Sequence, residues 1–153
     1  MRKCLSLILA VVLSLSCALP ASAMAKENCN IDIMECYALC VDESGEEIPV
    51  PYLNLSSHVI PAGGGMYYSN SNGSKFTLAA GSAVSVSLTL GSSSTVGIGY
   101  VSDTTGEVIC KTVTSKTPSA SFTIPSYGQY SIVVRNYSSG TVNVVSGTIS
   151  TSG

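Results

Sequence analysis

Ala83-Val84-Ser85-Val86-Ser87-Leu88-Thr89-Leu90 is the stretch on which the fold turns. Val84, Val86, Leu88 and Leu90 fall on one side of an extended chain, and Ser85, Ser87 and Thr89 on the other. A period of two marks a strand with one buried and one wet face, the usual state of antiparallel sheet. Working outward, further strands are expected over 53–60, 66–69, 75–78, 95–102, 107–114, 119–124, 129–136 and 141–150. Gly, Pro, Asn or Ser punctuates them about every 8–12 residues, as in sandwich proteins. Residues 51–153 hold 22 serines and only six charged residues, so the wet faces must be built largely from hydroxyls. Nine short strands joined by tight turns predict an all-β, antiparallel, jelly-roll-like β-sandwich domain over 51–153. Asn72-Gly73, residues 103–106 and residues 138–140 are the expected hairpin turns. Gly97 and Gly99 flank Ile98 within one expected strand; they read as packing or a bulge, with a ligand groove as the alternative. Gly63-Gly64-Gly65 reads as a flexible loop, because no helix and no Lys-Ser/Thr follows to complete a phosphate cradle.

Upstream, Arg2 and Lys3 precede an apolar run from Leu5 to Leu19 and then Ala21-Ser22-Ala23. A basic head, a short apolar middle and small residues at −3 and −1 make a secretory signal peptide over 1–23, cleaved before Met24. The run is shorter than the ~20 residues that span a bilayer. Secretion to the extracellular space is therefore expected, with no membrane span in the 130 residues that remain. The compact leader looks bacterial. Cys17 opens a lipoprotein alternative, but Ser14 and Leu15 stand where such sites want Leu and a small residue. Cell-surface association stays open.

Residues 24–50 form an acidic, cysteine-containing segment and linker. Seven of the nine acids lie between Glu27 and Glu47, which reads as a solvated leader or as a patch that docks on something basic. Residues 30–41 fit a short N-terminal helix capped by Asn30, with Ile33, Cys36, Tyr37 and Cys40 on one face; a strand or a disordered leader is the alternative. Pro49-Val50-Pro51 forbids helix and predicts an extended connection. The few bases are scattered, which argues against nucleic acid as a partner.

Cys29, Cys36, Cys40 and Cys110 survive removal of the leader, and an even number in an exported chain predicts two disulfides. Their spacing lacks the paired knuckles of structural zinc, and His58 is the only histidine, so no metal site is expected. No cofactor is implied either. A Ser-His-Asp hydrolase would have to use His58, yet the chain has no Gly-x-Ser-x-Gly elbow. Asp103 and Glu107 are the only carboxylates of the β-domain and sit four apart across an expected turn, a solvated arrangement rather than a glycosidase pair. Carbohydrate binding is the better fit, because sugar sites use exposed aromatic rings and the chain has eight tyrosines without tryptophan. Most should be core or corner residues. Tyr67, Tyr68 and Tyr137 are the candidate binding residues, with Tyr68 and Tyr137 the ones expected at the surface.

The run 123–140, Thr-Ile-Pro-Ser-Tyr-Gly-Gln-Tyr-Ser-Ile-Val-Val-Arg-Asn-Tyr-Ser-Ser-Gly, resembles the end of the bacterial pre-peptidase C-terminal type of secreted β-sandwich. Leu78-Ala79-Ala80-Gly81-Ser82-Ala83-Val84-Ser85-Val86-Ser87 is similar to an earlier strand of that family. The likeness covers about residues 75–150; the family's Asp-rich strand is absent, and with it any calcium site. The resemblance implies a non-catalytic accessory module. A secreted, non-enzymatic binding or surface-interaction module is therefore expected, for glycan, cell-envelope material or a surface protein. The alternative is a structural or assembly protein joined through sheet edges or disulfides; a small secreted hydrolase comes third.

Overall fold

The computed structural model describes residues 28–49 and 57–152. The expected signal peptide, the junction at 50–51 and the start of the strand expected over 53–60 lie outside the described residues. Twelve strands follow in chain order: β1 (Cys29–Asp32), β2 (Tyr37–Val41), β3 (Glu47–Ile48), β4 (His58–Ile60), β5 (Gly65–Ser69), β6 (Phe76–Leu78), β7 (Ala83–Leu90), β8 (Ser94–Ser102), β9 (Val108–Ser115), β10 (Ser119–Thr123), β11 (Gly128–Asn136) and β12 (Val142–Ser152). They form two antiparallel sheets. The five-stranded sheet runs β1-β12-β7-β10, with β4 also on β12; the seven-stranded sheet runs β3-β2-β5-β11-β8-β9, with β6 also on β11. Among the described residues, no helix is long and apolar enough to cross a membrane.

The core lies between the sheets. From the five-stranded sheet, Val84, Val86, Leu88 and Leu90 of β7 point inward, as their alternation requires. Met66 and Tyr68 of β5, Ile98 and Tyr100 of β8, and Tyr130, Ile132 and Val134 of β11 meet them. Tyr100 packs edge-on against both Phe122 and Tyr130, with ring centroids 5.7 and 5.5 Å away. The Tyr130 hydroxyl is satisfied by donating to the Ser126 carbonyl at 2.8 Å. In β12 the alternation breaks once. A register shift between Val144 and Ser146 leaves Val145 as an extra, exposed residue, so Val142 and Val144 point inward before it and Gly147 and Ile149 after it.

Residues 30–41 are not a helix. They form β1, a single 3-10 turn over Ile33–Glu35, and β2. The Asp32 carboxylate accepts from Met34 N–H at 2.9 Å and caps that turn. Tertiary packing overrides the helical spacing. Ile33 is fully buried where Gly147 leaves room for it, since a Cβ on Gly147 would lie 2.9 Å from Ile33 Cγ2. Much of the acidic segment is thus part of the sandwich, with β1 on one sheet and β2 and β3 on the other.

Two expected hairpins are also different. Residues 103–106 do close a hairpin, with Ser102 N–H donating to Glu107 O at 2.9 Å between β8 and β9. Asn72-Gly73 makes a tight loop, held by Gly73 N–H to Asn70 O at 2.8 Å, but β5 and β6 do not pair with each other. Both lie along β11, which is long enough to take them one after the other. Residues 138–140 lead from β11 to β12 and so cross between sheets.

Candidate functional site

Strand register places the candidate residues. Leu39, Tyr67, Val133, Gly99 and Cys110 form one row across the seven-stranded sheet, and Val41, Gly65, Arg135, Gly97 and Thr112 the parallel row two residues on. The row between them is Cys40, Met66, Val134, Ile98 and Lys111, of which the first four belong to the core. Side chains alternate along each strand, so the Tyr67 and Arg135 rows face away from the core. Val133 fits this assignment: it is buried, yet it stands apart from the core cluster.

Tyr67, Arg135 and Tyr137 converge on that outer face. Arg135 Nη2 donates to Tyr67 Oη at 3.4 Å. The hydrogen bond it gives Tyr67 is the main cause that raises the guanidinium above its ordinary pKa. Tyr137 lies just past the end of β11. Its ring edge sits over Gly97, where a Cβ would come within 2.6 Å of Cε2 and 3.0 Å of Cζ and Oη. Glycine is what lets the ring approach the sheet so closely, and Tyr137 remains 50% exposed. Gly99, the other glycine of β8, answers to a different need. A Cβ there would lie 1.8 Å from the Ile109 carbonyl oxygen of β9, so it marks close approach of two backbones.

The turn that carries Tyr137 is anchored from beneath. Asn136 is fully buried, and its Nδ2 reaches the carbonyls of Ile60, Pro61 and Gly140 at 3.1, 3.0 and 2.7 Å. Its Oδ1 accepts from Ser138 N–H at 2.8 Å. Tyr137 N–H donates to Thr95 O at 3.0 Å, and Thr95 N–H to Ser138 Oγ at 2.9 Å. One buried amide thus ties the turn to the chain around Ile60 and Pro61, and the edge contacts tie it to β8. A buried amide with every hydrogen bond met is a rigidifying feature.

Tyr68, expected at the surface, is instead fully buried. It occupies the inward position of β5, and Tyr67 the outward one, because neighbouring residues on a strand take opposite faces. Tyr68 Oη lies 3.3 Å from His58 Nδ1, and the rings pack with centroids 5.6 Å apart. Burial lowers the His58 pKa and raises that of Tyr68. His58 is therefore a core residue against a tyrosine and not a base in a cleft. Tyr127, which sequence reasoning did not single out, is 69% exposed, but it stands apart from the Tyr67 and Arg135 rows.

The four cysteines expected to pair are free thiols. Cys36 and Cys40 are buried between the sheets, Cys29 is exposed on β1, and Cys110 lies on the outer face of the seven-stranded sheet. Cys40 lies four steps of near-extended chain beyond Cys36, roughly 13 Å. A disulfide wants Cα atoms within about 7 Å. Burial, with Asp32 and Glu35 nearby, pushes the Cys36 thiol up to about 11. Among the described residues, no group of three or more His, Cys, Asp or Glu is placed to hold a metal ion.

No family model and no curated protein matches the chain. Among solved structures, the chain is similar to the CBM22-1–GH10 modules of the N-terminal endo-1,4-beta-D-xylanase 10B of Clostridium thermocellum, complexed with xylohexaose. The identity is 16% over 82% of this chain and 26% of that one, with a TM-score of 0.45, so this chain spans about a quarter of that structure's length. It is also similar to the C-terminal CBM6 of a marine laminarinase, LamC, of Zobellia galactanivorans, at 10% identity over 80% of this chain and 98% of that one, with a TM-score of 0.41.

Proposed function

We propose that the protein is a secreted, non-catalytic glycan-binding module that takes its ligand on the outer face of the seven-stranded sheet. The observation that carries this reading is Tyr137. It is a half-exposed ring laid close to a sheet by a glycine beneath it and held there by a buried asparagine. Sugar rings present apolar C–H faces that pack on aromatic rings, while hydroxyls around them seek hydrogen bonds. Tyr67 and Tyr137 offer the rings, and Arg135, on β11 two residues before Tyr137, offers N–H donors beyond the one it gives Tyr67. A preorganised aromatic loses little side-chain entropy on binding. The reading also draws on the sequence alone, in the leader over 1–23 and the resemblance over residues 75–150.

Sedimentation with insoluble polysaccharides and whole cell walls tests it. Saturable co-sedimentation of the purified protein, lost in Tyr137→Ala while the melting temperature holds, is the expected result. Binding that survives both Tyr137→Ala and Tyr67→Ala would move the site elsewhere. No binding to any polymer would favour a structural or assembly role.

A further inference from the structure

Arg135 carries an observation that sugar stacking leaves unexplained. Its guanidinium sits on the sheet's outer face, and the groups that act on it electrostatically are Tyr67, Tyr137 and Cys110. None of the three is a carboxylate. Among the described residues no carboxylate pairs with it, although Asp and Glu outnumber Lys and Arg nine to seven in the chain. Of the described acids, Asp32 caps the 3-10 turn, Asp42 closes the loop before β3 by accepting from Ser44 and Glu46 N–H, and Glu47 stands exposed at the β3 end of the Arg135 row, with Val41 and Gly65 between it and Arg135. A cation with no carboxylate partner among the described residues, on β11 between Tyr67 of the neighbouring strand and Tyr137 two residues on, is complementary to an anion.

We propose that the ligand is an acidic glycan, with Arg135 holding the carboxylate of a uronic acid unit while Tyr137 packs against a sugar ring. This rests on the glycan-binding reading of the same face and narrows it to a substrate class. One cation is matched by one negative charge per contacted sugar. A guanidinium presents two parallel N–H donors that fit the two oxygens of a planar carboxylate. Tyr67 steadies the fork from one side through its 3.4 Å contact with Nη2. Arg135 is half-buried opposite Gly65, where a Cβ would meet Arg135 Cγ at 3.6 Å, an ordinary contact.

Affinity electrophoresis of the purified protein tests this in gels that hold polygalacturonate, the same polymer with its carboxylates reduced to alcohols, or dextran sulfate. Retardation by polygalacturonate should exceed that by the reduced polymer by at least about tenfold in affinity, the scale of a hydrogen bond to a charged group. It should weaken as salt is raised. Arg135→Gln should erase the difference between the two polymers, and Arg135→Lys should restore part of it. Equal affinity for both polymers overturns the uronate proposal, and so does preference for dextran sulfate alone. Loss of that equal binding in Tyr137→Ala would still leave the glycan-binding reading standing. No retardation in any gel overturns the uronate proposal, and the co-sedimentation assay then decides the glycan-binding reading by itself. The wild-type comparison between the two polymers decides the matter even if an Arg135 variant proves poorly folded.

Discussion

The two outer faces of the sandwich obey the same alternation and look nothing alike. On the five-stranded sheet the outward rows are Ser121, Ser85, Ser150 and Asn30, and beside them Ser119, Ser87, Thr148 and Asp32. Neighbouring hydroxyls satisfy one another: Ser85 Oγ lies 2.8 Å from Ser121 Oγ, and Ser150 Oγ donates to Asn30 Oδ1 at 2.7 Å. On the seven-stranded sheet the outward rows carry Tyr67, Arg135, Gly97 and Gly99, with Tyr137 laid on the edge. A face of small hydroxyls keeps a sheet wet and offers no aromatic ring. The glycan-binding proposal rests on the other face, where two tyrosines and a cation stand among glycines. What separates the two faces is the choice of residue at outward positions.

The sharpest test of that contrast is the adjacent pair Tyr68 and Tyr67. Tyr68→Ala empties a fully buried position and should cost roughly 3–5 kcal/mol in urea unfolding. Tyr67→Ala should cost under about 1 kcal/mol and act on glycan affinity instead. Equal losses of stability would mean that the face assignment of β5 is wrong.

The glycines of β8 come next. Gly99→Ala sets a methyl group against the Ile109 carbonyl, which only a backbone shift relieves, and should cost about 1–3 kcal/mol. Gly97→Ala meets the far end of the Tyr137 side chain, whose displacement costs less than moving a backbone carbonyl. It should leave the melting temperature nearly unchanged and weaken glycan binding. The reverse order of melting temperatures would break the comparison.

Acid should act on the inner layer before it acts on either face. Burial lowers the His58 pKa below its usual 6.5. Above that value both folded and unfolded chains hold a neutral imidazole. As pH falls below 6.5 the unfolded chain takes up a proton that the folded chain refuses, so stability drops until the folded imidazole titrates in turn. The urea midpoint should therefore fall between pH 7.5 and about 5.5. In His58→Gln that slope should vanish, whatever the variant's absolute stability. The smallest effect belongs to the hydroxyl face: Ser85→Ala should stay within about 0.5 kcal/mol of the parent, with glycan affinity unchanged in the same sedimentation assay.

Much of the sandwich was legible in the sequence, because a strand writes its faces into its residues. The expected strands at 83–90, 95–102 and 129–136 fall within a residue of β7, β8 and β11. The candidate face was legible only in part. Tyr137 and Tyr67 were within reach, since both belong to the tyrosines named from the sequence. Arg135 was not, because its meaning lies in what surrounds it across three strands, and no local pattern carries that.

Alternating valines and serines, with turns between them, determined by themselves that this chain makes antiparallel sheets with one dry and one wet side. Tertiary structure decided the rest. It turned Tyr68 inward and Tyr67 outward by the register of β5 against β11. It drew the acidic segment into both sheets because Ile33 found the space that Gly147 leaves. It kept four thiols unpaired, two in the core and two on different sheets. Periodicity is local and short-ranged, so sequence carries it directly. Which face meets which, and which side chains gather there, depends on pairings between residues dozens of positions apart.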